Sequence, residues 1–326
     1  MRVLILDSFP SELIQELQNN SIEVVYKPGI LSDVIIPIIS NFSLLICNLE
    51  RITPEILSAA KRLKMVINIG YKKCKFDLKE ISRRGIIICR TGSSYENSYS
   101  ELALGHILAC DRCIVQNTDH LRRGEWRQKF FMKRGGLFGR SIGLVGTDYG
   151  CKHLVKIMND IGMNVNVWES NLKKREMITE KVEYVDDILE LARRCDVISI
   201  HLDNFSGNNR HLIGQKFFNE LKEETIFVNV ACAEVVDTEE MMKAIEEKDI
   251  LVGIDVYDDE PLVTVGDFQN TELVDLATSA TSHIGPFTKQ SSLLSSKEAT
   301  KIALTYIKTG RVINQINAKN DELCVY

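Results

Sequence analysis

A turn that could hold phosphate groups lies between two apolar stretches near the middle of the chain. Ile142–Val145 runs into Gly146-Thr147-Asp148-Tyr149-Gly150-Cys151, a helical pattern follows, and the next apolar stretch ends at Glu169. In such a strand, turn, helix and strand unit, glycines let the backbone approach a dinucleotide pyrophosphate at the helix amino terminus, and the final acid binds ribose hydroxyls. The pattern predicts dinucleotide contacts at Gly146, Asp148, Tyr149, Gly150, Cys151 and Glu169.

The turn keeps only one of the three glycines that this motif uses. Asp148 stands at the second glycine position and Cys151 at the third. An ionised Asp148 about 4 Å from a phosphate would be repelled by roughly 4 kcal/mol at an effective dielectric near 20. Glu169 favours NAD, because a carboxylate there disfavours a 2′-phosphate. Two interpretations stay open: an NAD-binding turn, and a nucleotide-binding fold that has lost its nucleotide.

The elements that would position this turn recur in two series along the chain. Short apolar stretches alternate with helical patterns, which predicts an α/β fold with two Rossmann-like or flavodoxin-like domains, each a doubly wound parallel sheet. Glu101–Val115 is predicted to be one long linking helix, and a stripe from Ala299 to Ile307 predicts a last helix capped by Gly310. The predicted strands are Val3–Leu6, Val24–Tyr26, Leu44–Cys47, Met65–Ile69 and Ile86–Cys89, then Ile142–Val145, Val165–Trp168, Val197–His201, Ile226–Val230 and Leu251–Val256.

Composition narrows the class of protein. The 326 residues suggest two domains, and 44% hydrophobic with 26% charged residues is typical of a globular chain. A net charge of -5 with scattered Lys and Arg argues against nucleic acid, and the apolar runs are too short to cross a membrane. Nine cysteines, an odd number, predict free thiols in the cytoplasm. Cys110 and Cys113 have no second pair, so we expect buried helix residues and no metal site.

Further motifs resemble those of one enzyme family, the D-isomer-specific 2-hydroxyacid dehydrogenases. The resemblance covers nearly the whole chain and implies residues 1–100 plus 287–326 as a substrate-binding domain and 101–286 as a dinucleotide-binding domain. The stretches that carry it are Phe76-Asp77-Leu78, Arg84-Gly85-Ile86, Glu101-Leu102-Ala103-Leu104, Arg123-Gly124-Glu125-Trp126, Leu137–Gly143, Arg194–His201, Val228-Asn229-Val230-Ala231, Asp255–Pro261 and Ser282-His283-Ile284-Gly285.

The resemblance implies hydride exchange between a nicotinamide and C2 of a small 2-oxo acid. His283 would be the acid/base, and Glu260 would hold its imidazole. Val230 and Asp255 would line the cofactor site. The family usually dimerises through its nucleotide domain, so we expect a homodimer.

Two parts of the family pattern are replaced. Cys232 occupies the position of the arginine that binds the substrate carboxylate, either as an inert replacement or as a nucleophile activated by His283. Tyr71 and Lys72 occupy the substrate loop, where the family has a glycine-rich turn. Lys72 either supplies a new positive charge for an acidic substrate or is a solvated side chain.

The sequence therefore supports two hypotheses about function. The first is a divergent NAD-dependent oxidoreductase acting on a 2-oxo or 2-hydroxy acid or a related carbonyl, with His283, Glu260 and Cys232 at its centre. The second is a catalytically silent homologue that acts as a binding, structural or regulatory protein.

Overall fold

The computed structural model describes residues 1–49, 52–70, 78–92, 95–176, 178–203, 208–261 and 266–317, with the backbone alone for 78–80. The chain divides into two compact units. The first unit is Met1–Tyr95 with Phe287–Tyr326, and the second unit is Glu96–Pro286. In the described part of the chain, no helix combines the length and the apolar character that a membrane crossing requires.

The first unit is a parallel sheet with helices on its faces. Its described strands pair in the order β2-β1-β3-β4-β5, which is the flavodoxin-like order. Alternate residues of each strand pack on opposite faces, with Leu4 and Leu45 in one core and Val3 and Leu44 in the other. The elements are β1 Arg2–Ile5, α1 Ser11–Asn19, β2 Glu23–Tyr26, α2 Ser32–Ile39, β3 Leu44–Cys47, α3 Pro54–Ala59, β4 Met65–Asn68, α4 Leu78–Arg83, β5 Ile87–Arg90 and, at the far end of the chain, α14 Lys289–Thr309.

The second unit is also a parallel sheet, and its strand order contains a reversal. The described strands pair in the order β12-β11-β10-β9-β6-β7-β8, so the chain changes direction across the sheet between β6 and β9. Ligands of open α/β sheets bind beyond the carboxyl ends of the strands at such a point. The elements are α5 Glu96–Arg112, α6 Ile114–Arg122, α7 Gln128–Phe131, β6 Ser141–Val145, α8 Cys151–Ile161, β7 Asn164–Trp168, α9 Leu172–Arg175, β8 Glu183–Tyr184, α10 Ile188–Arg194, β9 Val197–Ile200, α11 Gln215–Glu220, β10 Ile226–Asn229, α12 Thr238–Lys248, β11 Leu251–Ile254, α13 Thr271–Leu276 and β12 Ser279–Ala280.

The α/β fold with two doubly wound parallel sheets is confirmed, and so are the predicted strands and the last helix ending at Gly310. The single linking helix Glu101–Val115 is wrong. Cys113 adopts a left-handed conformation with φ 47°, which ends α5 at Arg112 and starts α6 at Ile114. A non-glycine residue in this region is uncommon, so the residue types gave no sign of the break.

Candidate functional site

The predicted dinucleotide and catalytic residues of the second unit follow the carboxyl ends of parallel strands. Gly146 follows β6, Glu169 follows β7, Cys232 lies beyond β10, Glu260 lies beyond β11, and His283 lies beyond β12. Since all these strands run in the same direction, the residues lie along one edge of the sheet, on both sides of the reversal between β6 and β9.

The turn after β6 is tight because Gly146 has no side chain. Its φ is +88°, and a Cβ atom there would lie 2.4 Å from His201 O. His201 is buried beneath the turn, and its Nδ1 lies 3.0 Å from Tyr149 O. Because a carbonyl only accepts, His201 donates from Nδ1, and its Nε2 accepts from Ser199 Oγ at 2.9 Å. His201 therefore holds the turn in place, and burial lowers its pKa to about 4.

Asp148, at the second glycine position, has a cationic partner. Lys174 Nζ lies 2.7 Å from Asp148 Oδ2, and both side chains are mostly buried. Burial alone would lower the pKa of Lys174, but the hydrogen bond and charge of Asp148 raise it above its ordinary value. The aspartate charge that would repel a phosphate is thus balanced by a lysine from α9.

The amino terminus of α8 already carries an anionic side chain. Tyr149 and Gly150 are both left-handed, with φ 49° and 75°, and the helix starts at Cys151. The Gly150 amide donates to Glu96 Oε2 at 2.8 Å. Cys151 is fully buried, and burial raises the pKa of its thiol well above the usual range. Glu96 was not predicted, since nothing in the sequence links it to a turn 54 residues away.

Glu169 lies at the end of β7 as predicted, but its carboxylate is engaged within the protein. It is 2% exposed. Its Oε2 accepts from Thr147 Oγ1 at 2.9 Å, and its Oε1 accepts from the Asn171 amide at 2.9 Å. The lone pairs left on these oxygens are what a ribose hydroxyl would use.

His283 and Glu260 are in direct contact. His283 Nδ1 lies 2.7 Å from Glu260 Oε2, and both side chains are mostly buried. The Tyr257 amide donates to Glu260 Oε1 at 3.1 Å, which fixes the carboxylate from its own loop. His283 is left-handed, with φ 51°, so its backbone is held in a conformation that side chains disfavour.

Asp255 anchors the His283 segment. It is fully buried and accepts from Ile284 N at 2.9 Å, Gly285 N at 2.7 Å and Thr281 Oγ1 at 2.5 Å. Burial raises the pKa of Asp255, while these hydrogen bonds oppose the rise. The predicted cofactor residue is therefore a buried anchor of the loop, and the predicted Val230 is fully buried at the end of β10.

The loop after β10 is ordered by Asn229. Its Oδ1 accepts from Ala231 N at 3.1 Å and Cys232 N at 3.3 Å, and its Nδ2 donates to Cys232 O at 2.9 Å. Cys232 itself is half-buried. Tyr71 and Lys72, the predicted substrate-loop residues, lie outside the described residues. Among those described, no group of three His, Cys, Asp or Glu could hold a metal ion, and Cys110 and Cys113 are buried.

Known proteins resemble this chain in sequence and in structure. Residues 104–285 match the model of the D-isomer specific 2-hydroxyacid dehydrogenase, NAD binding domain, which is more than half of the chain. The chain belongs to the D-isomer specific 2-hydroxyacid dehydrogenase family.

The chain is 28% identical over 263 residues to D-3-phosphoglycerate dehydrogenase of Methanocaldococcus jannaschii, an alignment that covers 80% of this chain and 50% of that protein. It is 28% identical over 262 residues to hydroxypyruvate reductase of Thermotoga maritima, covering 80% of this chain and 84% of the relative. Among solved structures, the TT0316 protein of Thermus thermophilus superposes with a TM-score of 0.83 at 25% identity, over 97% of this chain and 100% of that one. The chain thus spans about half the length of the first relative and most of the other two.

The residues of this family member fit an NAD cofactor. The close approach of Gly146 to His201 O keeps the turn narrow, and the acid at the end of β7 is present. The Gly150 amide already binds a carboxylate oxygen, so its position suits an anion such as a phosphate oxygen once Glu96 moves away.

Proposed function

We propose that this family member is an NAD-dependent oxidoreductase that interconverts a carbonyl and a hydroxyl on a small 2-oxo or 2-hydroxy acid or a related compound. The observation that carries the proposal is the His283 Nδ1 to Glu260 Oε2 contact of 2.7 Å. It lies at the same sheet edge as the dinucleotide turn. The bound nicotinamide would supply or accept the hydride.

The acid/base chemistry falls to His283. Because Glu260 holds Nδ1, the proton passes between Nε2 and the substrate oxygen. A carboxylate partner orients the imidazole and stabilises its protonated form. Asp255 positions the loop through the amides of Ile284 and Gly285, so that the ring stays above the sheet edge. Gly146, Gly150 and Glu169 would hold the dinucleotide.

Cys232 restricts the substrate. A thiol cannot bind a carboxylate through two N–H donors as an arginine does. Either the acid group is held by another residue, for which Lys72 is the candidate in the sequence, or the substrate lacks a carboxylate next to the carbonyl. Cys232 is half-buried, and we propose no covalent role for it.

Calorimetric titration of NADH tests the cofactor, and reduction of glyoxylate or hydroxypyruvate tests the chemistry. We expect wild type to bind NADH, and His283→Gln to retain binding while turnover falls by about 10²- to 10⁴-fold. Cys232→Arg should raise turnover of glyoxylate if the remaining site is intact. Absence of binding at millimolar NADH would overturn the redox function and favour a silent homologue, for which Glu96 at the α8 amino terminus is the supporting observation.

We also propose a homodimer formed through the segment 114–138. This segment exposes many apolar side chains, a surface that monomeric proteins rarely leave in contact with water. Sedimentation equilibrium of wild type and Trp126→Ala/Phe130→Ala should give a dimer and a weakened dimer respectively, and a wild-type monomer would contradict the proposal. The exposed residues are Ile114, Val115, Leu121, Trp126, Phe130, Met132 and Phe138.

A cytoplasmic location is proposed on the state of the thiols. All seven cysteines in the described residues are free, and six of them are buried. Free thiols are typical of a reducing compartment. Fractionation of the native cell tests this proposal.

A further inference from the structure

A buried histidine on α5 is part of a series of hydrogen bonds that reaches the His283 loop. His106 is 2% exposed. Its Nδ1 lies 2.9 Å from Ser279 Oγ, and its Nε2 lies 3.0 Å from Thr281 Oγ1. Thr281 Oγ1 in turn donates to Asp255 Oδ1 at 2.5 Å. This series of hydrogen bonds runs from β12 through α5 to the carboxylate after β11.

The direction of every donor in this chain follows from the number of available protons. Thr281 has one hydroxyl proton and gives it to Asp255, so its oxygen must accept from His106 Nε2. Burial lowers the pKa of His106 to about 4, so the ring is neutral and carries one proton, on Nε2. Its Nδ1 therefore accepts from Ser279. The order Ser279 to His106 to Thr281 to Asp255 is the arrangement that satisfies all four groups.

The fold makes room for this histidine at a glycine. A Cβ atom on Gly253 in β11 would lie 2.7 Å from His106 Cβ and 3.2 Å from its Cγ. Since Gly253 has only hydrogen there, α5 packs close enough for the imidazole to reach β12. Both ring nitrogens of this buried imidazole are therefore hydrogen-bonded, as buried polar groups require.

The carboxylate at the end of the chain holds both sides of His283. Thr281, two residues before His283, donates to Asp255 Oδ1, and the two residues after it donate to the carboxylate through their amides. The His283 amide itself donates to Asp255 O at 2.8 Å. These four bonds keep His283 at its unfavourable positive φ. The titratable groups tied to this loop are Glu260 through Oε2, Asp255, and Tyr257, whose hydroxyl donates to Thr281 O at 2.9 Å.

We propose that His106 is a positioning residue for His283: by donating to Thr281 it directs the threonine hydroxyl onto Asp255, and so fixes the loop that aligns the imidazole with Glu260. The proposal rests on the proposed acid/base function of His283. It assigns a role to a side chain that contacts neither substrate nor cofactor.

The test uses the proton shared by His283 Nδ1 and Glu260, observed by NMR on histidine-labelled protein without cofactor. A short bond of this kind gives a low-field N–H resonance, which His283→Gln identifies by its loss. His106→Leu removes the donor and keeps an apolar side chain of similar length. In this variant we expect the ring proton on His283 Nδ1 to exchange with solvent at least about tenfold faster than in wild type. Loss of one buried donor shifts a local opening equilibrium by roughly that factor. His106→Gln, which returns an amide donor, should restore the wild-type rate.

A double-mutant cycle separates this role from general loss of stability. Thr281→Val should produce the same increase in exchange, and His106→Leu/Thr281→Val should exceed neither single variant, since both break the same chain. His201→Leu is the matched control, because His201 is equally buried in this unit but bonds to Ser199 and Tyr149 O. It should leave the His283 N–H unchanged.

Kinetics give a second readout that distinguishes the two proposals. If the enzyme turns over, His106→Leu should lower kcat about tenfold while the Kd for NADH changes less than about twofold, as expected when alignment of a proton donor is lost. If the exchange rate of the His283 Nδ1 proton is unchanged in both His106→Leu and Thr281→Val, the positioning role is overturned and the redox function is left intact. Absence of NADH binding in wild type overturns the redox function, while the NMR result still decides the positioning role.

Discussion

Lys174 and Asp148 form an ion pair at the dinucleotide turn, with Lys174 Nζ 2.7 Å from Asp148 Oδ2. The pair changes the electrostatic effect of the aspartate at the second glycine position. Alone, its charge would repel a pyrophosphate, whereas the lysine offsets that charge at short range. The turn therefore depends on a residue of α9 that lies 26 positions further along the chain.

Removal of the lysine should weaken cofactor binding. We expect Lys174→Met to raise the Kd for NADH by about tenfold or more, because it leaves the mostly buried Asp148 charge without its partner. Asp148→Asn in the same protein should recover most of the affinity. Lys173→Met, at an exposed neighbouring residue, is the control. Calorimetric titration of wild type, these three variants and Asp148→Asn alone measures the coupling, and equal Kd values for Lys174→Met and wild type would show that the pair does not act on the cofactor.

Glu96 should compete with the cofactor for the Gly150 amide. Glu96→Gln keeps the size of the side chain but removes the charge that occupies the α8 amino terminus. We expect the Kd for both NADH and ADP-ribose to fall by about three- to tenfold, since one charged helix-terminus contact contributes roughly 1 kcal/mol. Glu101→Gln, an exposed acid on the same helix, should have no effect. Weaker binding in Glu96→Gln would mean that Glu96 assists the dinucleotide.

Most of the fold was predictable from sequence because both sheets are buried on their two faces. Strands such as Leu44–Cys47 are continuous apolar runs, Ile226–Asn229 is apolar up to its last residue, and the helices between strands fix the parallel order. The left-handed Cys113 and the two-residue strands β8 and β12 carry no comparable pattern. They depend on tertiary contacts.

The site was predictable only at residues that follow strands. Glu169 was inferred from its spacing after the turn, whereas His283 and Glu260 were inferred from the family resemblance. All three follow strands of one sheet, at the same edge. Lys174 and His106 were missed, because their partners are distant in sequence and nothing local marks the contact.

Acid should destabilise the second unit through its buried histidines. Burial lowers the pKa of both His106 and His201 to about 4, whereas an imidazole in the unfolded chain titrates near 6.5. Between these values the unfolded state binds protons that the folded state does not. The contribution of these two histidines to the free energy of unfolding is therefore fully present above about pH 6.5. It falls as the pH drops towards 4, by up to roughly 3 kcal/mol for each histidine.

Urea unfolding at a series of pH values measures this loss. The two tryptophans, Trp126 and Trp168, both lie in the second unit, so their fluorescence follows that unit alone. The slope of unfolding free energy against pH should be smaller in His201→Gln than in wild type, whatever the absolute stability of the variant. His153→Gln, at an exposed position on α8, should keep the wild-type slope. Identical slopes in all three proteins would contradict the assignment.

Gly146 should tolerate no side chain, for two separable reasons. Its φ of +88° disfavours any L-residue, and a Cβ atom would lie 2.4 Å from His201 O and 2.8 Å from Leu202 Cβ. Gly139 has a similar φ of +80° but no atom within 4 Å of a Cβ position. Gly139→Ala should therefore lower the free energy of unfolding by only the backbone cost of about 1–2 kcal/mol. Gly146→Ala should add a steric cost of about 1–3 kcal/mol to that. The difference between the two variants, measured by tryptophan fluorescence in urea, isolates the contact with His201, and equal losses would mean that the turn can move away from β9 at no cost.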